Sequence, residues 1–67
     1  MLSENLRNIR NKNKLGTREL ERISGVSNSI ISNIECGKYK NPTIDTVSKL
    51  AKALDVTIDE LVYGKKE

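Results

Sequence analysis

Apolar residues recur along this chain at three- and four-residue intervals, and no stretch sustains the alternation of a half-buried strand. Leu2, Leu6 and Ile9 stand at i, i+4 and i+7, with Ser3 as a cap, and the pattern fades in the Asn- and Lys-rich stretch 11–14; this predicts a first helix over 3–13. A second helix, over 17–24, takes Gly16 or Thr17 as its cap, turns Leu20 and Ile23 inward and stops at Gly25, which is free to adopt positive φ. Ser27 caps a third helix over 28–36, closed by Gly37. After Pro42, Thr43 caps a fourth helix with the clearest apolar stripe of the chain: Ile44, Val47, Leu50, Ala51 and Leu54. Thr57 and Glu60 form a capping box for a last helix that carries Ile58, Leu61 and Val62 and runs out at Tyr63 and Gly64. The expectation is an all-α fold, with one domain over 1–64 and a short flexible tail over 65–67.

The third segment, SNSIISNIECGKYKNP over 27–42, divides on a helical wheel. At about 100° per residue, Asn28, Ser32, Ser29 and Asn33 fall at about 0°, 40°, 100° and 140°, whereas Ile30, Ile34 and Ile31 fall at about 200°, 240° and 300°. One face is aliphatic, and the other carries only short amides and hydroxyls. Asn and Ser compete with the backbone for hydrogen bonds, and ordinary solvated helix faces use Glu, Lys and Arg instead. Two explanations fit: a marginal surface helix held by tertiary packing, or a base-reading face, since an Asn amide pairs with adenine N6 and N7 and a serine hydroxyl meets base edges in the major groove. The arrangement favours the second, because a short helix, a turn containing Gly25 and a second helix make a helix-turn-helix unit.

Composition narrows the field. A domain of 67 residues buries only about 60% of its unfolded surface, so it must use few apolar residues efficiently. Without Phe or Trp, the core falls to Leu, Ile, Val and Ala. Cys36 stands alone and histidine is absent, which excludes an intrachain disulfide and the usual four-ligand zinc sites and fits a reducing compartment; no metal or cofactor is expected. No apolar run approaches the ~18 residues of a membrane span, and the N-terminus lacks the apolar centre of a signal peptide, so a soluble cytoplasmic protein with no membrane partner is expected. The chain offers no general base or activated nucleophile near neutrality, which argues against an enzyme. The net charge of +3 is uneven: residues 1–43 hold eight Lys or Arg against four acids, residues 44–67 four against five. A nucleic-acid partner would meet the N-terminal part, although scattered solvated lysines account for the total equally well.

Residues 2 to about 64 resemble the helix-turn-helix family of phage Cro and repressor proteins and bacterial Xre-type regulators. The resemblance rests on LRNIR in the first helix, TRELERISGVSNSIISNIECGK as the two-helix unit, and NPTIDTVSKLAKALDVTIDELV as the closing helices. It implies a compact five-helix, lambda-repressor-like domain whose second and third helices form the helix-turn-helix. It implies further a dimer, in the cytoplasm of a bacterium or encoded by a phage, that represses transcription from a (pseudo)palindromic operator in double-stranded DNA. Carried onto this chain, Asn28, Ser29, Ser32 and Asn33 face the bases, while Thr17, Arg18 and Ser27, with Lys38, Tyr39, Lys40 and Asn41 of the following loop, approach the DNA backbone. Arg10 and Glu35 are implied to pair between helices 1 and 3. With no Arg or Lys in helix 3, the commonest guanine contact is missing and an A·T-leaning half-site is expected; Ile30 either touches a thymine methyl or belongs to the core.

Ile58, Val62 and Tyr63 either form a dimer contact or close the monomer core, with Tyr63 at its edge. The chain departs from the family where Thr17 replaces a usual glutamine, Glu21 a small residue and Ser24 an apolar one; at Glu21 the helix contact is expected to shift so that Ile23 supplies the apolar surface. Cys36 replaces a polar residue that often meets DNA, and its thiol is either redox-sensing or inert. No second domain offers a sensing site, so no small-molecule effector is expected. The rival reading is a protein-interaction module, such as an antitoxin-like domain whose apolar C-terminal end engages a partner.

Overall fold

Side-chain hydroxyls open three of the helices, each by accepting a hydrogen bond from the N–H three residues on. Ser27 accepts from Ile30 at 3.3 Å, Thr43 from Thr46 at 3.2 Å and Thr57 from Glu60 at 3.0 Å. The computed structural model describes residues 2–64; the tail predicted over 65–67 lies outside the described residues. The chain runs α1 (Leu2–Lys12), α2 (Thr17–Ser24), α3 (Asn28–Glu35), α4 (Ile44–Leu54) and α5 (Ile58–Tyr63), with no strand among the described residues. Gly16 has no side chain with which to cap α2, and Glu19 reaches back instead, its Oε1 accepting the Gly16 N–H at 3.1 Å. Gly25 ends α2 at φ 79°, and its N–H closes onto the Glu21 carbonyl at 2.8 Å.

Every helix contributes a fully buried side chain to one core: Leu6 from α1, Leu20 from α2, Ile31 and Ile34 from α3, Leu50 from α4 and Leu61 from α5. Withdrawing an aliphatic side chain of this size from water stabilises by about 1.5–3 kcal/mol. α1 packs on α3 and α5, α2 on α3 and α4, and α4 on α5. α3 is therefore seated between α1 and α2 by Ile31 and Ile34, while Ser29, Ser32 and Asn33 stay exposed. The described chain measures 28 × 23 × 19 Å.

Two expectations about facing and one about a cap are corrected. Ile23 is 56% exposed and does not seat α2. The side of α2 turned inward carries Thr17, Leu20, Glu21 and Ser24, and Ile23 falls about 110° from the centre of that arc at 100° per residue. Val26, buried in the turn, supplies the apolar surface instead. Ile44 is 70% exposed, because it occupies the first position of α4, beyond the edge of the core that Val47, Leu50, Ala51 and Leu54 fill. Ser3 lies within the first turn of α1 rather than ahead of it.

Candidate nucleic-acid interface

The outer face of α3 is polar and free of charge. Ser29, Ser32 and Asn33 are exposed, Asn28 at the N-terminal end is half-buried, and Ile30 is half-buried against the core. α3 carries no basic residue in its last turn and no acidic one in its first. Helix N-termini present unpaired N–H groups and the positive end of the helix dipole, which suits phosphate. Thr17 and Arg18 occupy the first positions of α2, and Ser27 caps α3, with Arg18 and Ser27 exposed and Thr17 half-buried.

The loop after α3 is set by its backbone. Gly37 takes φ 84°, and the Tyr39 N–H donates to the Asn33 carbonyl at 3.0 Å, folding the loop back on the last turn. Tyr39 packs half-buried against the core, whereas Lys38, Lys40 and Asn41 are exposed. Tyr39 thus anchors the loop from which the two lysines project. Cys36 is exposed at the end of α3, its thiol donating to the Asn33 carbonyl at 3.6 Å.

One guanidinium ties α3 to the scaffold. Arg10 Nε donates to Glu35 Oε2 at 2.6 Å and Nη2 to Glu35 Oε1 at 2.9 Å, a bidentate pair with side chains only 14% and 8% exposed. Its remaining Nη1 donates to the Leu15 carbonyl at 2.7 Å, so α1, the loop before α2 and the end of α3 meet at one group. The hydrogen bond to Glu35 raises the Arg10 pKa above its ordinary value; partial desolvation opposes that rise, and attraction to the Glu35 charge adds to it. The guanidinium is charged at every accessible pH.

Sequence reasoning missed three participants. Arg7 Nη2 donates to the Glu35 carbonyl at 2.9 Å and so caps the C-terminal end of α3 from α1. Its signal was present in the spacing, since Arg7 and Arg10 are three apart on one helix face. Asn5 Nδ2 donates to the Val62 carbonyl at 3.2 Å, tying α1 to the end of α5. Across the turn, Asn28 Nδ2 donates to Glu21 Oε1 at 3.4 Å, both residues being half-buried. Neither of these last two contacts has a local sequence signature.

A second feature lies away from α3. Leu2, Pro42, Ile44, Ile58, Val62 and Tyr63 line an open, largely apolar groove that Lys40 and Asn41 of the loop after α3 border on one side, with Tyr63 69% exposed and Ile58 and Val62 half-buried.

The sequence matches a helix-turn-helix domain family over residues 3–67. It is 39% identical over 62 residues to the control protein C.SmaI of Serratia marcescens, covering 92% of this chain and 73% of that protein. It is 43% identical over 60 residues to the HTH-type transcriptional repressor RghR of Bacillus subtilis, covering 90% of this chain and 44% of RghR. It is 30% identical over 67 residues to the HTH-type transcriptional regulator SinR of the same organism, covering 60% of SinR. This chain thus spans less than half the length of RghR. No solved structure matches.

Proposed function

The chain belongs to the Xre-type helix-turn-helix family of DNA-binding transcription regulators, and from that premise we propose that it binds a (pseudo)palindromic operator as a homodimer, lays α3 in the major groove and represses the promoter it covers. The observation that carries this reading is the uncharged, hydrogen-bonding outer face of α3. An α-helix fits the major groove of B-DNA, and there Asn28, Ser29, Ser32 and Asn33 offer donors and acceptors to base edges without a carboxylate to repel phosphate. Thr17, Arg18 and Ser27 at the helix N-termini, with Lys38, Tyr39, Lys40 and Asn41 of the loop, hold the backbone. These contacts supply most of the affinity and make it fall steeply with salt.

Size supports the dimer. The described chain is 28 Å in its longest dimension, less than the ~34 Å helical repeat that separates two half-sites, so one copy reads one half-site. A single module of this kind offers only a small interface, and pairing two of them on one operator raises both affinity and the information read. The apolar groove bounded by Ile58, Val62 and Tyr63 suits a two-fold contact, because Ile44 and Tyr63 stand 70% and 69% exposed beside it. The name of one relative, a transcriptional repressor, favours repression, and occlusion of the promoter is its simplest route. A cytoplasmic, DNA-associated location follows from that role.

Replacing both Asn28 and Asn33 with alanine tests the reading by fluorescence anisotropy against a selected operator. Loss of sequence preference, with residual salt-dependent binding to any duplex, is the expected result. Unchanged discrimination would refute base reading by α3, and an operator-blind protein that retains a protein partner through the α5 groove would favour the interaction-module reading instead.

A further inference from the structure

Glu21 occupies a position where the family usually has a small residue, and it has no part in the core. Its carboxylate instead crosses the turn, Oε1 accepting from Asn28 Nδ2 at 3.4 Å. Both side chains are half-buried. The chemistry of that contact is asymmetric. An amide presents a donor end and an acceptor end that can exchange by rotation of the group, whereas an ionised carboxylate only accepts. Glu21 therefore pairs with the Nδ2 end and repels Oδ1.

We propose that Glu21 is a positioning residue for base recognition: it fixes the Asn28 amide with Oδ1 turned away from α2, so that the base met by Asn28 must donate a hydrogen bond. Adenine N6 and cytosine N4 donate in the major groove, while guanine presents O6 and N7 and thymine presents O4, all acceptors. An oxygen held toward guanine or thymine would face another acceptor. The contact thus narrows an otherwise reversible amide to bases with an exocyclic amino group. The inference rests on α3 reading the major groove and restricts the base met by Asn28 to adenine or cytosine.

The test uses an operator selected with the unmodified protein and four versions of it that differ at the one base pair whose preference is lost in Asn28→Ala, each version named by the base on the strand that Asn28 meets. That strand is assigned by replacing each base of the pair in turn with an analogue lacking its major-groove amino or keto group and finding which replacement costs affinity. Binding of each to the unmodified protein, Glu21→Ala and Glu21→Gln is measured at one salt concentration. The unmodified protein is expected to favour adenine or cytosine over guanine or thymine at that position by about tenfold, within the range of a good base contact. Glu21→Ala is expected to reduce the ratio to below about threefold and leave preferences at other positions in place. Glu21→Gln, which preserves shape but both donates and accepts, gives an intermediate ratio. Ratios taken within one protein are insensitive to a change in its folded fraction, so a destabilised variant still reports.

A Glu21→Ala protein whose affinity for all four sites changes by a common factor would overturn the proposal, because charge or packing alone would then account for Glu21. So would a guanine or thymine preference in the unmodified protein. Failure of the unmodified protein to select any site would overturn base reading by α3 and this inference together, whereas a selected site with ratios unaltered in Glu21→Ala would overturn this inference alone.

Discussion

Arg10→Ala removes three hydrogen bonds at once. Glu35 loses both contacts to its carboxylate, at 2.6 and 2.9 Å, and the Leu15 carbonyl loses its donor at 2.7 Å. The Glu35 side chain is only 8% exposed, so its charge is left largely out of water without a partner. Breaking a buried pair by removing one member costs about 3–5 kcal/mol; because Arg10 is itself 14% exposed and water can reach the vacated space, about 3 kcal/mol is the appropriate figure. Domains hold about 0.05–0.15 kcal/mol of stability per residue, roughly 3–10 kcal/mol for a chain of this size, so the loss takes about 30% of the total or more.

Each kcal/mol shifts the melting temperature of a small domain by about 4–8 °C, which predicts a fall of at least ~12 °C. Urea and thermal melts followed by circular dichroism measure it, with exposed Lys52→Ala as the reference, expected within about 0.5 kcal/mol of the unmodified protein. Arg10→Lys keeps the charge but not the planar fork and falls between the two. The double variant Arg10→Met with Glu35→Leu, which strands no charge, is expected to recover most of the loss. An Arg10→Ala protein that melts with Lys52→Ala would refute the reasoning and leave the pair without structural consequence.

Two further outcomes follow from exposure and charge. Tyr63→Glu places a charge on the rim of the apolar groove at a side chain 69% exposed, and is expected to leave the monomer's melting temperature within a few degrees while weakening self-association at least tenfold by sedimentation equilibrium; unaltered association would remove this groove from the dimer. Lys38→Gln and Lys40→Gln are each expected to lower the slope of log affinity against log salt by about one and to weaken binding equally across operator sequences, as phosphate contacts do; a change in base preference would show that the loop reads sequence.

Boundaries in this chain were legible because they are set by residues within four positions of one another. Ser27, Thr43 and Thr57 each cap through the N–H three residues on, and Gly25 and Gly37 each supply a left-handed backbone, so two local rules locate the ends of α2 and α3 and the starts of α3, α4 and α5. The facing of α2 was not legible. Its eight residues include only two large aliphatic side chains, Leu20 and Ile23, and the direction of burial is decided by α3, α4 and Val26 of the turn, not by the helix itself. The end of α4 was also hidden, since Asp55 takes the left-handed conformation at φ 58° that glycine usually marks.

The polar face of α3 was visible on a wheel, because amide and hydroxyl residues separate there from the isoleucines. The contacts that orient that face were less so. Arg7 and Arg10 reach Glu35 across 28 and 25 positions of sequence, and the Asn28–Glu21 bond depends on the angle at which the turn sets α3 against α2. Spacing rules describe one helix at a time, whereas these bonds join helices whose relative placement is a result of packing.

The claim that α3 reads bases for a two-fold dimer is tested most directly by selecting binding sites from random duplex DNA and sequencing the enriched pool. Base reading by two copies of α3 predicts an inverted repeat with half-site centres about 10 base pairs apart, one helical turn, leaning to A·T where Asn28 and Asn33 meet the groove. A pool that retains random sequence after repeated rounds, or enriches a site that Asn28→Ala with Asn33→Ala binds with the same preference, would contradict it.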